Sequence, residues 1–401
     1  MRIVMLTKAL LVGEYQRKAE LLAAEDDIEL TVVVPPSWRD GDRVQALERL
    51  HTDGYRLLET PIALSGNFHL HWYTHLGRIL DESRPELVHI DEEPYNLATR
   101  LAMQQARARR ARTVFFTWQN MQRRYPPPFS WWERAVYNRI DGAIAGSRTA
   151  SQVLRAKGYA GPLWTIPQVG VDPGFFSPRP AHRREGRPFR IGFAGRLVHG
   201  KGVDLAIEAL ASLTTEPSGS SVPIPDVENA QARTDAVRRA STLDARLEIL
   251  GEGPERQALE QLAQRLGVGE RVRFRPWMPS SELPAFYHSL DALVLPSRST
   301  PSWIEQFGRV LIEAMACGVA CVGSDSGEIP HVIGDAGLVF PEGDSAALRD
   351  QLWRLATNDA LSEALAEAGR ARVLERFTMA RVAQETADVY RAVLTGQAAQ
   401  H

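Results

Sequence analysis

Cysteine is nearly absent: Cys317 and Cys321 are the only two in 401 residues. Both sit in an apolar stretch, MACGVACVG, so they read as small core residues in a reducing compartment rather than as a disulfide framework or a zinc site. An excess of either charge is equally lacking, with 47 Lys and Arg against 49 Asp and Glu. That balance removes any global electrostatic case for nucleic acid, and an anion-binding site must be a local cluster. No run reaches the roughly 18 apolar residues that a bilayer span needs. The amino terminus opens on the apolar residues 3–6 and lacks the basic flank, long apolar region and small-residue cleavage site of a secretion signal. A soluble cytoplasmic protein is expected, with contact to the inner face of a membrane left open. No Gly-x-Gly-x-x-Gly follows the first apolar run, which argues against a nicotinamide dehydrogenase.

What is present is ordinary for a large α/β protein: 44% hydrophobic and 24% charged residues, with 30 Gly and 25 Pro. The length exceeds what one core usually organises, so two domains are expected. Short apolar runs at 1–6, 28–34, 87–90, 112–117, 142–146 and 163–167 alternate with helical spacing at 16–24, 71–83 and 98–110. Runs apolar on both faces, joined by helices, predict a parallel sheet made of βαβ units. A charged, Pro-bearing stretch at 177–188 reads as a linker, after which the rhythm restarts. Strands are expected at 190–194, 247–250, 272–274, 292–295, 319–323 and 337–340, and helices at 203–213, 254–266, 280–289 and 307–316. The boundaries expected are 1–180 for a first Rossmann-like domain and 188–378 for a second, with a mobile, chemically silent insertion at 214–244.

Chemistry-bearing residues concentrate in the second half. Gly195-Arg196-Leu197 follows a strand and leads to Lys201-Gly202, where a helix opens. Free backbone N–H groups and the helix dipole favour an anion there, and Arg and Lys complement each other as a planar fork and a point charge. A nucleoside diphosphate is the expected guest, against the alternative of a solvated basic turn. A second constellation is Glu305-Gln306-Phe307-Gly308 with Glu313 eight positions beyond Glu305. With a helix beginning near Phe307, Glu305 lies in the preceding loop and Glu313 about two turns inside. Carboxylates accept hydrogen bonds from vicinal hydroxyls, so one can meet a sugar and the other a ribose. Acids near helix starts also serve as ordinary caps and dipole partners.

The order and spacing of these motifs, with Gly251-Glu252-Gly253-Pro254 after a strand and the run from Glu313 to Gly318, resemble the family-4 retaining glycosyltransferases of GT-B fold. The likeness covers residues 1 to about 394, and includes Val169-Gly170-Val171-Asp172 and Ser326-Gly327-Glu328-Ile329-Pro330. It implies two Rossmann-like domains facing each other across a cleft, with a helix at 380–395 packed back on the first. It implies a nucleotide-sugar donor, most often UDP-linked with GDP or ADP as alternatives, and no cofactor or metal. Arg196 and Lys201 would bind the diphosphate, Glu305 the transferred sugar and Glu313 the ribose. Gly195, Gly251, Gln306, Phe307 and Gly308 would line the donor, and the loop at 275–278 the base. Glu305, Arg196 and Lys201 would carry the catalysis. No Asp-x-Asp stands at a credible donor position, and no carboxylate is placed as a nucleophile. A same-face mechanism is therefore expected, with the leaving phosphate accepting the acceptor's proton.

The acceptor side departs from the family. Many members carry two glycines after the first strand, whereas here Gly13 is the best match. Many place a histidine where this chain reads Thr117-Trp118-Gln119-Asn120, which leaves Gln119 and Asn120 as hydrogen-bonding substitutes that are not bases. Asp91 and Glu92 end another strand and are expected either to orient the acceptor or to cap the next helix. His69, His71 and His75 lack a local acidic partner and read as surface or packing residues. A basic cluster at Arg107, Arg109, Arg110 and Arg112, and a basic-aromatic one at Arg123, Arg124, Tyr125, Phe129, Trp131 and Trp132, suit either a lipid-linked acceptor or a solvated surface over core aromatics. Two further readings stay open: a sugar-nucleotide epimerase of the same fold, and a non-catalytic sugar-nucleotide binder.

Overall fold

In a computed structural model, which describes residues 1–41, 43–178, 186–213 and 243–397, the chain divides into two compact units. One comprises Met1–Gly170 with Phe377–His401, the other Val171–Arg376. The segment 171–178 therefore belongs with the second unit. Of the expected insertion at 214–244, residues 214–242 lie outside the described residues, as do 179–185 of the linker.

The first unit is built on a seven-stranded parallel sheet. Its strands run in the order Leu163–Thr165, Gly142–Ala145, Arg112–Thr117, Leu87–Asp91, Arg2–Thr7, Glu29–Val34 and Arg56–Glu59. Successive side chains of a strand point to opposite faces, and both faces here are apolar. Ile3, Met5, Leu30, Val32, Val114 and Ile144 pack under helices Arg17–Ala23 and Met379–Thr395. Val4, Leu6, Val33, Val88, Ile90 and Phe115 pack on the other face with Leu80, Met103, Val136 and Leu154 from four helices. The second unit has six parallel strands: Val272–Arg275, Ala245–Leu250, Phe189–Ala194, Ala292–Leu295, Ala320–Ser324 and Leu338–Phe340. In both sheets the first strand lies between the second and the fourth of its series, the strand order of a Rossmann fold. Helix starts follow local chemistry: Ser147, Asp344 and Thr378 each accept the amide of the residue three positions on.

One expectation is corrected, and several elements are added to those expected. The helix predicted over 71–83 begins only at Leu76, because Trp72–Tyr73 pairs with Ile62–Ala63 as a short hairpin. The edge strand Arg56–Glu59 and the hairpin of Ser37–Asp40 with Arg43–Ala46 escape the sequence reading, being short and weakly apolar. Helices Ser345–Thr357 and Asp359–Arg376 likewise go beyond the elements expected from the sequence.

The returning helix is tied by a buried polar contact: His89 Nδ1 lies 2.7 Å from the Tyr390 hydroxyl. Burial, reinforced by the Lys18 charge, holds the His89 imidazole down at about 3. Its folded value lies below the unfolded value near 6.5, so the stability His89 contributes is whole above that pH and lost as pH falls below it. At pH 5 that loss is about 2 kcal/mol. The stability deficit of His89→Gln relative to wild type, read from urea melts, is expected to shrink by about that amount between pH 7.5 and 5. A deficit independent of pH refutes the assignment.

Candidate active site

Ligands of open parallel sheets gather at the carboxyl ends of the strands where the strand order reverses. In the second unit that place lies between Phe189–Ala194 and Ala292–Leu295. The chain leaves the first of these strands through Gly195, Arg196 and Leu197, and makes one 3-10 turn at His199–Lys201. Gly202, at φ +64°, then opens helix Val203–Ser212. A side chain is barred there, since a Cβ on Gly202 would lie 1.9 Å from the Pro296 carbonyl oxygen. Gly251 braces the Arg196 turn from behind: its own Cβ would lie 1.9 Å from the Gly195 carbonyl oxygen, and the Leu197 amide donates to Glu252 O at 2.8 Å.

The two constellations meet at one hydrogen bond. Lys201 Nζ donates to Glu305 Oε2 at 2.6 Å, and Ser297 Oγ donates to the same oxygen at 2.8 Å. Glu305 is only 6% exposed, so an unpartnered carboxylate would be costly, and the ammonium and hydroxyl offset that cost. Arg196 is exposed, without an ion-pair partner among the described residues. Gln306 is exposed and Phe307 buried.

Helix Arg309–Ala316 starts later than the spacing predicts, because Gly308 takes φ +84° and caps it in the left-handed conformation. Glu313 therefore lies one turn inside the helix rather than two. Its carboxylate is buried, receives the Tyr287 hydroxyl at 2.6 Å and lies 2.8 Å from Arg309 Nε. Burial raises the Glu313 pKa against the pull of Arg309 and Tyr287. In the loop at 275–278, Arg275 is held by Glu248 at 2.7 Å and Trp277 is exposed. Ser297, Trp303, Tyr287 and Arg309 were missed in the sequence. Only Ser297 carried a signal, since it stands two positions beyond the end of strand Ala292–Leu295 beside the reversal.

The first unit repeats the geometry where Arg2–Thr7 adjoins Leu87–Asp91. Neither Asp91 nor Glu92 caps the next helix, whose N-cap is Asn96. Asp91 accepts from Thr7 Oγ1 at 2.5 Å and Gln168 Nε2 at 2.9 Å, and burial raises its pKa. Glu92 is buried too, but the Lys8 ammonium on both its oxygens and His71 at 3.1 Å outweigh the burial and pull it down to about 2. His71 thus has an acidic partner after all, 21 positions away in sequence and invisible to local reading. Glu93 accepts from Thr117 Oγ1 and the Trp118 amide, and burial pushes it up to about 7.

The remaining acceptor-side residues are engaged within the unit. Gln119 receives Lys157 Nζ and donates to the Tyr125 hydroxyl, both at 3.3 Å, while Asn120 is half-buried on the same loop. The Gly13 amide donates to Glu48 Oε2 at 2.7 Å, and a Cβ there would meet Leu50 at 2.8 Å. Its close approach is thus to residues 48–50. Of the basic cluster, Arg109 pairs with Asp81 and Arg112 with Asp141.

Comparison with known proteins assigns these features to a class. The family described as Glycosyl transferases group 1 matches residues 177–372, and Glycosyltransferase Family 4 matches residues 19–175. Solved structures share the whole fold: sucrose-phosphate synthase from Thermosynechococcus elongatus superposes with a TM-score of 0.69 at 19% identity, covering 98% of this chain and 99% of that one. Anabaena HepE in complex with UDP gives 0.70 at 17%, covering 98% and 100%. The chain belongs to the group 1, family-4 glycosyltransferases, with the GT-B fold of two Rossmann-like units.

Among curated relatives, the D-inositol 3-phosphate glycosyltransferase of Streptomyces bingchenggensis is 30% identical over 66% of this chain and 55% of its own length. The GDP-mannose-dependent phosphatidylinositol monomannoside mannosyltransferase of Mycolicibacterium smegmatis is 30% identical over 61% and 60%. The N-acetyl-alpha-D-glucosaminyl L-malate synthase of Bacillus anthracis is 36% identical over 38% and 39%. The chain thus spans less than two thirds of each of these relatives. No helix among the described residues is long and apolar enough to cross a membrane.

Proposed function

We propose that this protein is a retaining glycosyltransferase that moves a sugar from a nucleotide-sugar donor, UDP-linked or GDP-linked, to a hydroxyl of a glycan, glycolipid or small molecule in the cytoplasm. The observation that carries the reading is the Lys201–Glu305 contact at 2.6 Å, at the point of strand reversal. A cation suited to a diphosphate and a carboxylate suited to sugar hydroxyls share one small place there. Relatives named for GDP-mannose and for inositol phosphates, and a structural neighbour holding UDP, agree with such a donor and with polyol acceptors.

In this mechanism Arg196 and Lys201 hold the donor's diphosphate, the Gln306 to Gly308 turn lies along phosphate and sugar, and Glu313 meets the ribose once its Tyr287 and Arg309 partners rearrange. The bond from the anomeric carbon to the diphosphate oxygen breaks while the acceptor oxygen bonds to the same face. The acceptor's proton passes to the departing phosphate oxygen, and the two cations offset the charge developing there. In the first unit, Asp91, Glu92, Gln119 and Asn120 stand on the acceptor side. Trp131, 64% exposed near Arg123 and Arg124 in sequence, favours an acceptor presented at an anionic lipid surface.

The test is a panel of nucleotide sugars offered without acceptor, followed by release of nucleoside diphosphate. Slow hydrolysis of one donor, insensitive to EDTA, is the expected result. Interconversion of two nucleotide sugars marks an epimerase instead, and tight binding with no turnover marks a sensor.

A further inference from the structure

Lys201 does not rest on Glu305 alone. The loop from Pro296 to Glu305 wraps the turn that carries it: the Arg298 amide donates to Gly200 O at 2.8 Å, and the Arg298 guanidinium grips both oxygens of Asp204 at 2.9 and 3.0 Å. At the far side of the loop Trp303 is folded back on Thr300, the Thr300 amide donating to Trp303 O at 2.8 Å and the Trp303 amide to Thr300 Oγ1 at 3.0 Å. The indole so placed is seated on Gly200, where a Cβ would lie 2.6 Å from a ring carbon. The Lys201 ammonium sits 4.9 Å from the ring centroid. Gly200 is thus required by the ring, and the ring stands against the charge.

A lysine ammonium swings on four bonds and loses more freedom than a planar guanidinium in reaching one geometry. When a donor draws Lys201 to its diphosphate and Glu305 to its sugar, the present ion pair can no longer fix that geometry, whereas the indole can. We propose that Trp303 is a positioning residue for Lys201: held in place by Gly200 and Thr300, its ring backs the ammonium and sets where it meets the donor's diphosphate. This rests on the reading of Lys201 as a diphosphate contact.

Calorimetric titration of UDP and GDP into purified variants tests it. Trp303→Leu is expected to weaken binding of the preferred diphosphate about 5- to 20-fold, the range of a partly desolvated cation–π contact. Trp303→Phe stays within about twofold of wild type because it keeps a ring under the charge. Gly200→Ala, which leaves Trp303 intact but pushes its ring aside, repeats the Trp303→Leu loss and carries the test should the leucine variant fail to fold. Combined with Lys201→Ala, Trp303→Leu adds nothing further, since its effect runs through the lysine. An equal loss with and without Lys201, or a leucine variant that binds as wild type, overturns the proposal. Should Lys201→Ala itself bind as wild type, the diphosphate reading fails whatever Trp303 does.

Discussion

Lys201→Ala lowers kcat/KM for sugar transfer by about 10²- to 10³-fold, the scale seen when one preorganised donor to developing negative charge is removed. The loss falls on kcat as well as on donor binding, because charge on the leaving diphosphate is larger in the transition state than in the bound donor. Arg196→Ala acts in the same direction, and Lys201→Arg restores only part, since a fork cannot occupy the place of a point charge. Steady-state kinetics with the donor identified by the hydrolysis screen decide the matter. A Lys201→Ala enzyme with unchanged kcat and donor affinity would remove the cation from the mechanism.

Glu305→Gln separates two roles that the sequence motif joins. Transfer is expected to fall about 100-fold or more, because the charged acceptor for the sugar's hydroxyls is gone. Nucleoside diphosphate alone, however, binds at least as tightly as before, by up to about fivefold more, since Lys201 no longer has to leave a carboxylate to reach it. The buried position of Glu305, bonded to both Lys201 and Ser297, is what makes the two effects diverge. Calorimetry beside kinetics reads both. Affinity for the diphosphate that drops in step with activity would show that Glu305 holds the nucleotide rather than the sugar.

The parts of the molecule legible in the sequence are those encoded locally. Two-faced apolar runs such as 112–117 and 292–295 announce buried parallel strands, and Gly-Arg-Leu with Lys-Gly announces a turn beside a helix start. What was not legible depends on distant partners. His71 finds Glu92, Trp303 finds Gly200, and Glu313 finds Tyr287 only after the sheets have formed. The helix start at Arg309 was misplaced because a left-handed Gly308 is a choice of backbone, not of composition. Arg56–Glu59 was overlooked because an edge strand needs little apolar content to pair with Glu29–Val34.

The chain's return to its first unit has a consequence for how the protein is made. Val382, Ala387, Tyr390 and Val393 belong to the same apolar core as Ile3, Leu30 and Val114. A polypeptide emerging from the ribosome at about 5–20 residues per second therefore carries an unfinished amino-terminal half throughout synthesis of the whole of Val171–Arg376. The later-made unit is contiguous and completes itself first, while the earlier-made one waits, with one apolar face only partly covered by helix Arg17–Ala23, for the final helix. Nascent chains stalled before Met379 should expose that face to chaperones, so order of synthesis and order of folding run in opposite directions here.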